Sequence, residues 1–121
     1  MVDFDLAVGY GIVINVEVWR EMRAKIFDTF FNKNPDHCIE LMDTLENQWS
    51  IRLDSWSDND EYFLGAIRHF DTEDVFMRLV DSLNIDKREI NDFINFSRET
   101  GIFSIFKKDW KPELCLIRYC H

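Results

Sequence analysis

The sequence predicts one α+β domain in which four helices cover an antiparallel or mixed sheet of about four strands. Apolar residues alternate along some stretches, as in half-buried strands, and recur every three to four residues along others, as in amphipathic helices. Composition supports a core, since 46% of the 121 residues are hydrophobic and 15% are aromatic. The expected order is βααβ-βααβ, and no linker or low-complexity stretch divides residues 1–121.

The first strand is expected in LAVGYGIVIN, residues 6–15. Its larger apolar side chains fall on one face, and Gly9 and Gly11 fall on the other. Because glycine weakens the interior of a strand, this pair predicts a bulge or a close approach by another backbone, from a helix or a partner chain.

The letters VGYG also occur in potassium-channel filters, which need membrane-spanning helices of about 20 apolar residues. Gly9, Gly11 and Asn15 interrupt any such helix here. A phosphate-binding loop does not fit either, because IVIN follows GYG without a third glycine or a Lys-Ser/Thr pair. The stretch is therefore interpreted as a strand.

Two helices are expected next, each with a capping residue at its start. Asn15 caps a helix that runs to about Asn32, and Asn34 with Pro35 begins a second helix. Strands over 49–53 and 63–70 then form a hairpin with a longer loop. The apolar stripes of the two helices are Trp19, Met22, Ile26 and Phe30, and Cys38, Leu41, Met42 and Leu45.

Two more helices are expected in the second half of the chain. One begins at Asp71 or Thr72, and the other begins at Asp86. In the second of these, a capping box would let the Asp86 carboxylate accept from the Glu89 amide while the Glu89 side chain reaches back. Gly101 would close this helix in the left-handed conformation.

Strands are predicted in IFSIF, residues 102–106, and in ELCLIRYC, residues 113–120, with a turn between them. The two halves of the chain thus share an order of elements without sharing residues. Duplication of one βααβ unit stays open.

The net charge of −9 is concentrated in one segment. Residues 40–74 contain ten acids and two arginines, which leaves −8 there and −1 for the rest of the chain. Such a field repels nucleic acid, whose binding proteins neutralise phosphates with Lys and Arg. It attracts a basic protein surface. The simpler alternative is that these acids only keep the protein soluble.

Cysteine usage and the first residues indicate the cytoplasm. Cys38, Cys115 and Cys120 form an odd, sparse set that suits a reducing compartment. Asp3 and Asp5 stand where a signal peptide would need positive charge.

No coherent set of catalytic or metal-binding residues is found in the sequence. An EF-hand counted from Asp58 lacks ligands at several required positions, and His37 with Glu40 supplies too few ligands for an ion. His37 and Cys38 are helical neighbours about 100° apart, so His37 is badly placed to act as a base for Cys38. We expect no metal, no cofactor and no enzymatic activity.

The candidate partner-binding site lies where aromatic residues are interleaved with acids. Trp56 is part of a polar loop and belongs to no apolar stripe, and Trp and Tyr often supply binding energy at interfaces. The predicted partner-binding residues are Asp54, Trp56, Asp58, Asp60, Glu61, Tyr62, Asp71, Glu73 and Asp74. The protein is expected to be a monomer, or a homodimer in which the small face of the first strand pairs with its copy.

The opening VGYGIVI, residues 8–14, together with small size, acidity and aromatic content, resembles small bacteriophage-encoded proteins of uncharacterised function. Several of these begin with a strand of the form VG-aromatic-G-apolar. The resemblance implies a protein made in the infected host that binds and disables a host component such as a defence nuclease complex. It assigns no functional residue.

The predicted function is therefore inhibition of a basic protein by an acidic surface, either through charge complementarity or by imitating the phosphates of DNA. A toxin-immunity protein would use the same physics. Two other classes stay open, namely a small-ligand binder with a phenylalanine-lined pocket between sheet and helices, and an enzyme assembled from dispersed acids.

Overall fold

The computed structural model describes residues 4–53, 60–69 and 86–120. This part of the chain is α+β, with four helices and one antiparallel sheet of four strands in the order β2-β3-β1-β4. The strands are β1 Phe4–Asn15, β2 Ser50–Arg52, β3 Glu61–His69 and β4 Glu113–Cys120. The helices are α1 Val16–Phe30, α2 Pro35–Thr44, α3 Lys87–Thr100 and α4 Phe103–Phe106.

The predicted fold class is confirmed at this level, and the order of elements is confirmed in part. The β2–β3 hairpin pairs antiparallel as expected, and ELCLIRYC forms β4. The helix predicted to begin at Asp71 or Thr72 lies outside the described residues.

β1 is an interior strand. It pairs with β3 over residues 7–15 and with β4 over residues 4–11. Over residues 7–11 both edges of β1 are therefore hydrogen-bonded to neighbouring strands of the sheet. Among the described strands, β2 and β4 form the edges of the sheet.

The glycines of β1 allow the neighbouring strands to approach it closely. Gly11 faces Gly65 of β3 in the register, and a Cβ atom on Gly11 would lie 2.0 Å from the Leu64 carbonyl oxygen. A Cβ atom on Gly65, whose φ is 153°, would lie 2.4 Å from the Tyr10 carbonyl oxygen. The predicted close approach is confirmed, but the approaching backbone belongs to the adjacent strand and not to a helix or a partner chain.

Gly9 makes room for side chains on the same face. A Cβ atom at this position would lie 2.3 Å from the Phe63 ring and 2.7 Å from the Ile117 side chain. Ala7, Phe63 and Ile117 form a small buried cluster on this face of the sheet. The opposite face of β1 carries Ile12 and Ile14, which pack in the main core with the helices.

The main core is built from the apolar stripes that the helical spacing predicts. In α1, Met22 and Ile26 are fully buried, and in α2 Cys38 is fully buried. A π-helical turn over Leu45–Trp49 extends α2 and buries both of its terminal residues before β2 begins. In α3, Phe93 is fully buried against Trp49 and Phe106.

The predicted caps of α1 and α2 are confirmed. The side-chain oxygen of Asn15 accepts from the Val18 amide at 2.9 Å, and that of Asn34 accepts from the His37 amide at 3.2 Å. Both helices therefore begin where a polar side chain satisfies a free amide. α1 ends at Phe30, two residues before the expected end.

The capping box of α3 is only partly right. Asp86 is the N-cap, but its carboxylate accepts from the Arg88 amide at 3.0 Å, and the Glu89 side chain contacts Arg68 at 3.3 Å. The tertiary ion pair with β3 thus replaces the local contact back to the cap. Gly101 closes α3 with φ of 81°, as predicted.

The strand predicted for IFSIF is wrong, because Phe103–Phe106 is a helix. Ile102 and Phe106 are buried one helical turn apart, and Phe103 packs edge-on against Phe106 with a centroid distance of 5.2 Å. A strand would send residues 103 and 106 to opposite faces. The helix places both rings beside Trp110 in one aromatic cluster.

Replacing Gly11 with alanine should lower the free energy of unfolding by about 1–3 kcal/mol, because the new methyl group meets backbone atoms that cannot turn aside. Without that contact, alanine would stabilise a strand interior by about 0.5–1 kcal/mol relative to glycine. Urea denaturation measures the difference. Val13→Ala is the control, since Val13 lies on the same face of β1 and is 50% exposed; a neutral or stabilising Gly11→Ala would contradict the close approach.

Candidate functional site

The structure describes three of the nine predicted partner-binding residues, of which two begin β3 and one directly precedes it. They are Asp60, Glu61 and Tyr62. The remaining six lie outside the described residues, namely Asp54, Trp56, Asp58, Asp71, Glu73 and Asp74. The described part of the site is therefore the end of the β2–β3 hairpin.

Asp60 forms an ion pair across this hairpin. Arg52 of β2 donates from Nη2 to the Asp60 carboxylate at 2.7 Å, and the two side chains are 66% and 42% exposed. The pair cancels one of the negative charges that the sequence assigns to this surface. The neighbouring Glu61 is exposed. An exposed pair of this kind contributes at most about 1 kcal/mol to stability, so its main effect is on the local charge.

Tyr62 joins the hairpin to α1. Its ring stacks on Trp19 with a centroid distance of 4.5 Å and an angle of 9°. The Trp19 indole donates to the Ser50 hydroxyl at 3.3 Å, and Ser50 donates in turn to the Leu45 carbonyl at 2.7 Å. Tyr62 is thus half-buried in contacts within the chain, which gives it a role in the fold.

Arg23 continues this contact chain toward the end of α2. Its guanidinium lies 4.9 Å from the centroid of the Trp19 ring, and its Nε lies 2.8 Å from a Glu46 carboxylate oxygen. Glu46 therefore has its charge balanced, like Asp60. Trp19 and Arg23 stand one helical turn apart on α1, a spacing that could have suggested their contact.

Three exposed acids of α2 form no ion pair with an arginine within the described residues. Asp36, Glu40 and Asp43 are exposed and follow the helical spacing of one face, with Ile39 among them at 54% exposure. We call these four residues the α2 outer face. No Lys or Arg occurs in residues 34–49. The Nδ1 atom of His37 lies 3.8 Å from a carboxylate oxygen of Glu40.

Two exposed phenylalanines precede this face. Phe27 and Phe31 are 45% and 38% exposed, and their rings stack with a centroid distance of 4.5 Å. Phe30, between them in sequence, contacts His37 edge-on and so connects the end of α1 to the start of α2. The spacing of Phe27 and Phe31, four residues apart and outside the apolar stripe, was the signal that the sequence reasoning missed.

The histidines, cysteines and acids of the described residues do not form a metal site, and Cys38 and Cys115 are poorly placed to act as nucleophiles. No three His, Cys, Asp or Glu side chains there are placed to hold a metal ion. Cys38 is fully buried, as its place in the apolar stripe predicts. Burial, with a smaller effect from the Glu113 carboxylate, raises the pKa of Cys115, and a nucleophilic cysteine needs the reverse shift.

One concavity lies between the end of β1 and α4. It has a volume of about 210 Å³, and Phe106 is the phenylalanine in its wall. Pockets for drug-sized ligands usually measure about 300–1,000 Å³. Phe93 and Phe106 instead fill the core against each other, so this concavity differs from the phenylalanine-lined pocket that the sequence left open.

Comparisons with protein-family models, curated proteins and solved structures find no match to this chain. None of the helices in the described ranges is long and apolar enough to cross a membrane.

Replacing Tyr62 with leucine should lower the free energy of unfolding by about 1 kcal/mol, because the ring pair with Trp19 is lost. Tyr62→Phe keeps the stacked ring and should stay within about 0.5 kcal/mol of the wild type. Thermal and urea unfolding of the two variants measure this difference. Equal stability of both variants would show that the stack contributes nothing to the free energy of unfolding. Tyr62 could then serve partner binding without a cost to the fold.

Proposed function

We propose that this protein binds a basic protein surface through the α2 outer face and thereby inhibits its partner. The observation that carries the proposal is the spacing of Asp36, Glu40 and Asp43 around the exposed Ile39, in a segment without Lys or Arg. An apolar side chain at the centre of a polar rim is the usual arrangement of a binding surface.

Electrostatics and apolar contact have different tasks in this proposal. The three carboxylates attract Lys and Arg of the partner over roughly a Debye length, which speeds the encounter. Ile39, and beside α2 the stacked Phe27 and Phe31, offer apolar area that is lost from water on binding. Single exposed apolar residues are common on monomeric proteins. The proposal is therefore supported by the occurrence of three of them, Phe27, Phe31 and Ile39, on the consecutive helices α1 and α2 and the link between them.

Residues 54–61, of which 54–59 lie outside the described residues, remain a second proposed contact with the partner. The charges of Asp60 and Glu46 are balanced by arginines within the chain. The carboxylates of α2 form no such pair with an arginine and are therefore the main charged contacts in the proposal. Glu61 is exposed and forms no ion pair with an arginine within the described residues. Trp56 would supply the aromatic contact at this end.

The proposed partner is a host nuclease complex or another basic protein of the cytoplasm, as the resemblance to bacteriophage proteins implies. Such a partner binds DNA phosphates with basic side chains, and an acidic protein can occupy the same groove. A toxin-immunity protein would act in the same way on a basic toxin. The identity of the captured protein distinguishes a nuclease inhibitor from a toxin-immunity protein.

Binding should weaken about tenfold when Asp36→Asn, Glu40→Gln and Asp43→Asn are combined, because three exposed charges each contribute about 0.5 kcal/mol. Affinity capture from the cells that produce the protein, with quantitative mass spectrometry, identifies the partner, and titration with that purified partner gives the affinity. Salt raised from roughly 50 to 500 mM should also weaken binding.

The matched control combines Asp92→Asn, Glu99→Gln and Asp109→Asn, which removes three exposed charges from other elements. It should keep the wild-type affinity within about twofold. Equal losses for both triple variants would show an effect of net charge only and would exclude the α2 outer face. Retention of every partner by the variant Trp56→Ala, Asp58→Ala, Asp60→Ala would exclude the hairpin.

Replacing Ile39 with alanine should weaken binding by about fivefold or more, because this side chain is the central apolar contact of the α2 outer face. Its stability should change little, because Ile39 is 54% exposed. Leu116→Ala is the control, since Leu116 is 61% exposed on β4. An Ile39 variant that binds like the wild type would remove the apolar part of the proposal.

A further inference from the structure

A second surface of the chain has the opposite charge. A groove of about 400 Å³ lies where α1, the end of α3 and the start of α4 meet. Its lining contains three cations in a protein whose net charge is −9. The lining residues are Lys25, Arg98, Gly101, Phe103, Ser104 and Lys107.

The three cations are not balanced by carboxylates of the chain. Lys25, Arg98 and Lys107 form no ion pair within residues 4–53, 60–69 and 86–120, and no acid lines the groove. The arginines at 23, 52 and 68, by contrast, each contact an acid. All three residues are exposed, and an anion in the groove would be attracted by all three charges.

The backbone and one aromatic ring shape the groove. Gly101 is left-handed, with φ of 81°, and a Cβ atom there would lie 3.2 Å from Lys25 Cε, so glycine lets this lysine lie against the end of α3. The Arg98 guanidinium lies 5.7 Å from the centroid of the Phe103 ring. Ser104 donates its hydroxyl to the Gly101 carbonyl at 2.8 Å, which fixes the turn between α3 and α4.

We propose that this groove binds a small phosphate-bearing anion. Two lysines provide point charges and one arginine provides a planar fork of donors, a combination that suits a group with several charged oxygens. Phe103 provides an apolar wall for the rest of such a molecule. The volume falls within the range of small-molecule sites.

The overall charge selects a small anion and not a nucleic acid. A molecule that fits the groove feels mainly the three cations around it, because more distant charges are screened beyond about 10 Å at 0.1 M salt. A long polyanion would extend over the acidic remainder of the surface and be repelled. This site is separate from the α2 outer face, so the two proposals can fail independently.

The test uses inorganic pyrophosphate as the probe and isothermal titration calorimetry of the full chain at low salt. The wild type should bind pyrophosphate, and Lys107→Gln and Arg98→Gln should each weaken binding by about tenfold or more, as loss of a charge-assisted hydrogen bond predicts. The control is Lys108→Gln, which removes an equal charge from an exposed neighbour outside the groove lining and should change affinity less than twofold.

Thermal unfolding of each variant separates binding from folding. A Lys107→Gln variant that unfolds like the wild type and has lost pyrophosphate binding supports the site. Absence of pyrophosphate binding to the wild type, or equal losses in the Lys107 and Lys108 variants, would overturn it. Tighter binding of a twelve-nucleotide single strand than of pyrophosphate would overturn the assignment to a small molecule.

Discussion

The close contact between β1 and β3 at Gly11 and Gly65 is the constraint on which the other elements depend. The two backbones approach so closely that neither position admits a Cβ atom. This contact fixes the register in which Ile12 faces Leu64, and that register decides which apolar side chains meet the helices. A shift by one residue would turn every side chain of β1 to the other face of the sheet.

Aromatic side chains connect the helices to the sheet and to one another. Trp19 connects α1 to β3 through Tyr62 and to β2 through Ser50, while Phe93 connects α3 to Trp49 and Phe106. Rings of this size bury large areas and prefer defined geometries. Tyr62 is therefore occupied within the fold, whereas the carboxylates of α2 remain exposed because that helix turns only Cys38 fully into the core.

The charge that the surface presents depends on which acids pair with arginines, and not only on the number of acids in a segment. Glu46 and Asp60 belong to the acidic segment of residues 40–74, yet each contacts an arginine. Within the described residues, the carboxylates of Asp36, Glu40 and Asp43 form no ion pair with Lys or Arg, and Lys25, Arg98 and Lys107 form none with Asp or Glu. Much of the candidate site could be predicted as acidic from the sequence, but these pairings could not, because Arg23 and Glu46 are 23 positions apart and meet only when α1 packs against α2.

Local rules in the sequence determined the starts of α1, α2 and α3, the left-handed end at Gly101, and the alternation in β1, because capping and periodicity act over a few neighbouring residues. Residues 102–106 fit both periods, and only the aromatic cluster with Phe93 and Trp110 decided in favour of a helix. The interior position of β1, the partner of Glu89 and the gathering of Lys25, Arg98 and Lys107 also came from tertiary structure alone. Each depends on contacts between residues far apart in the chain, whose energies no local pattern contains.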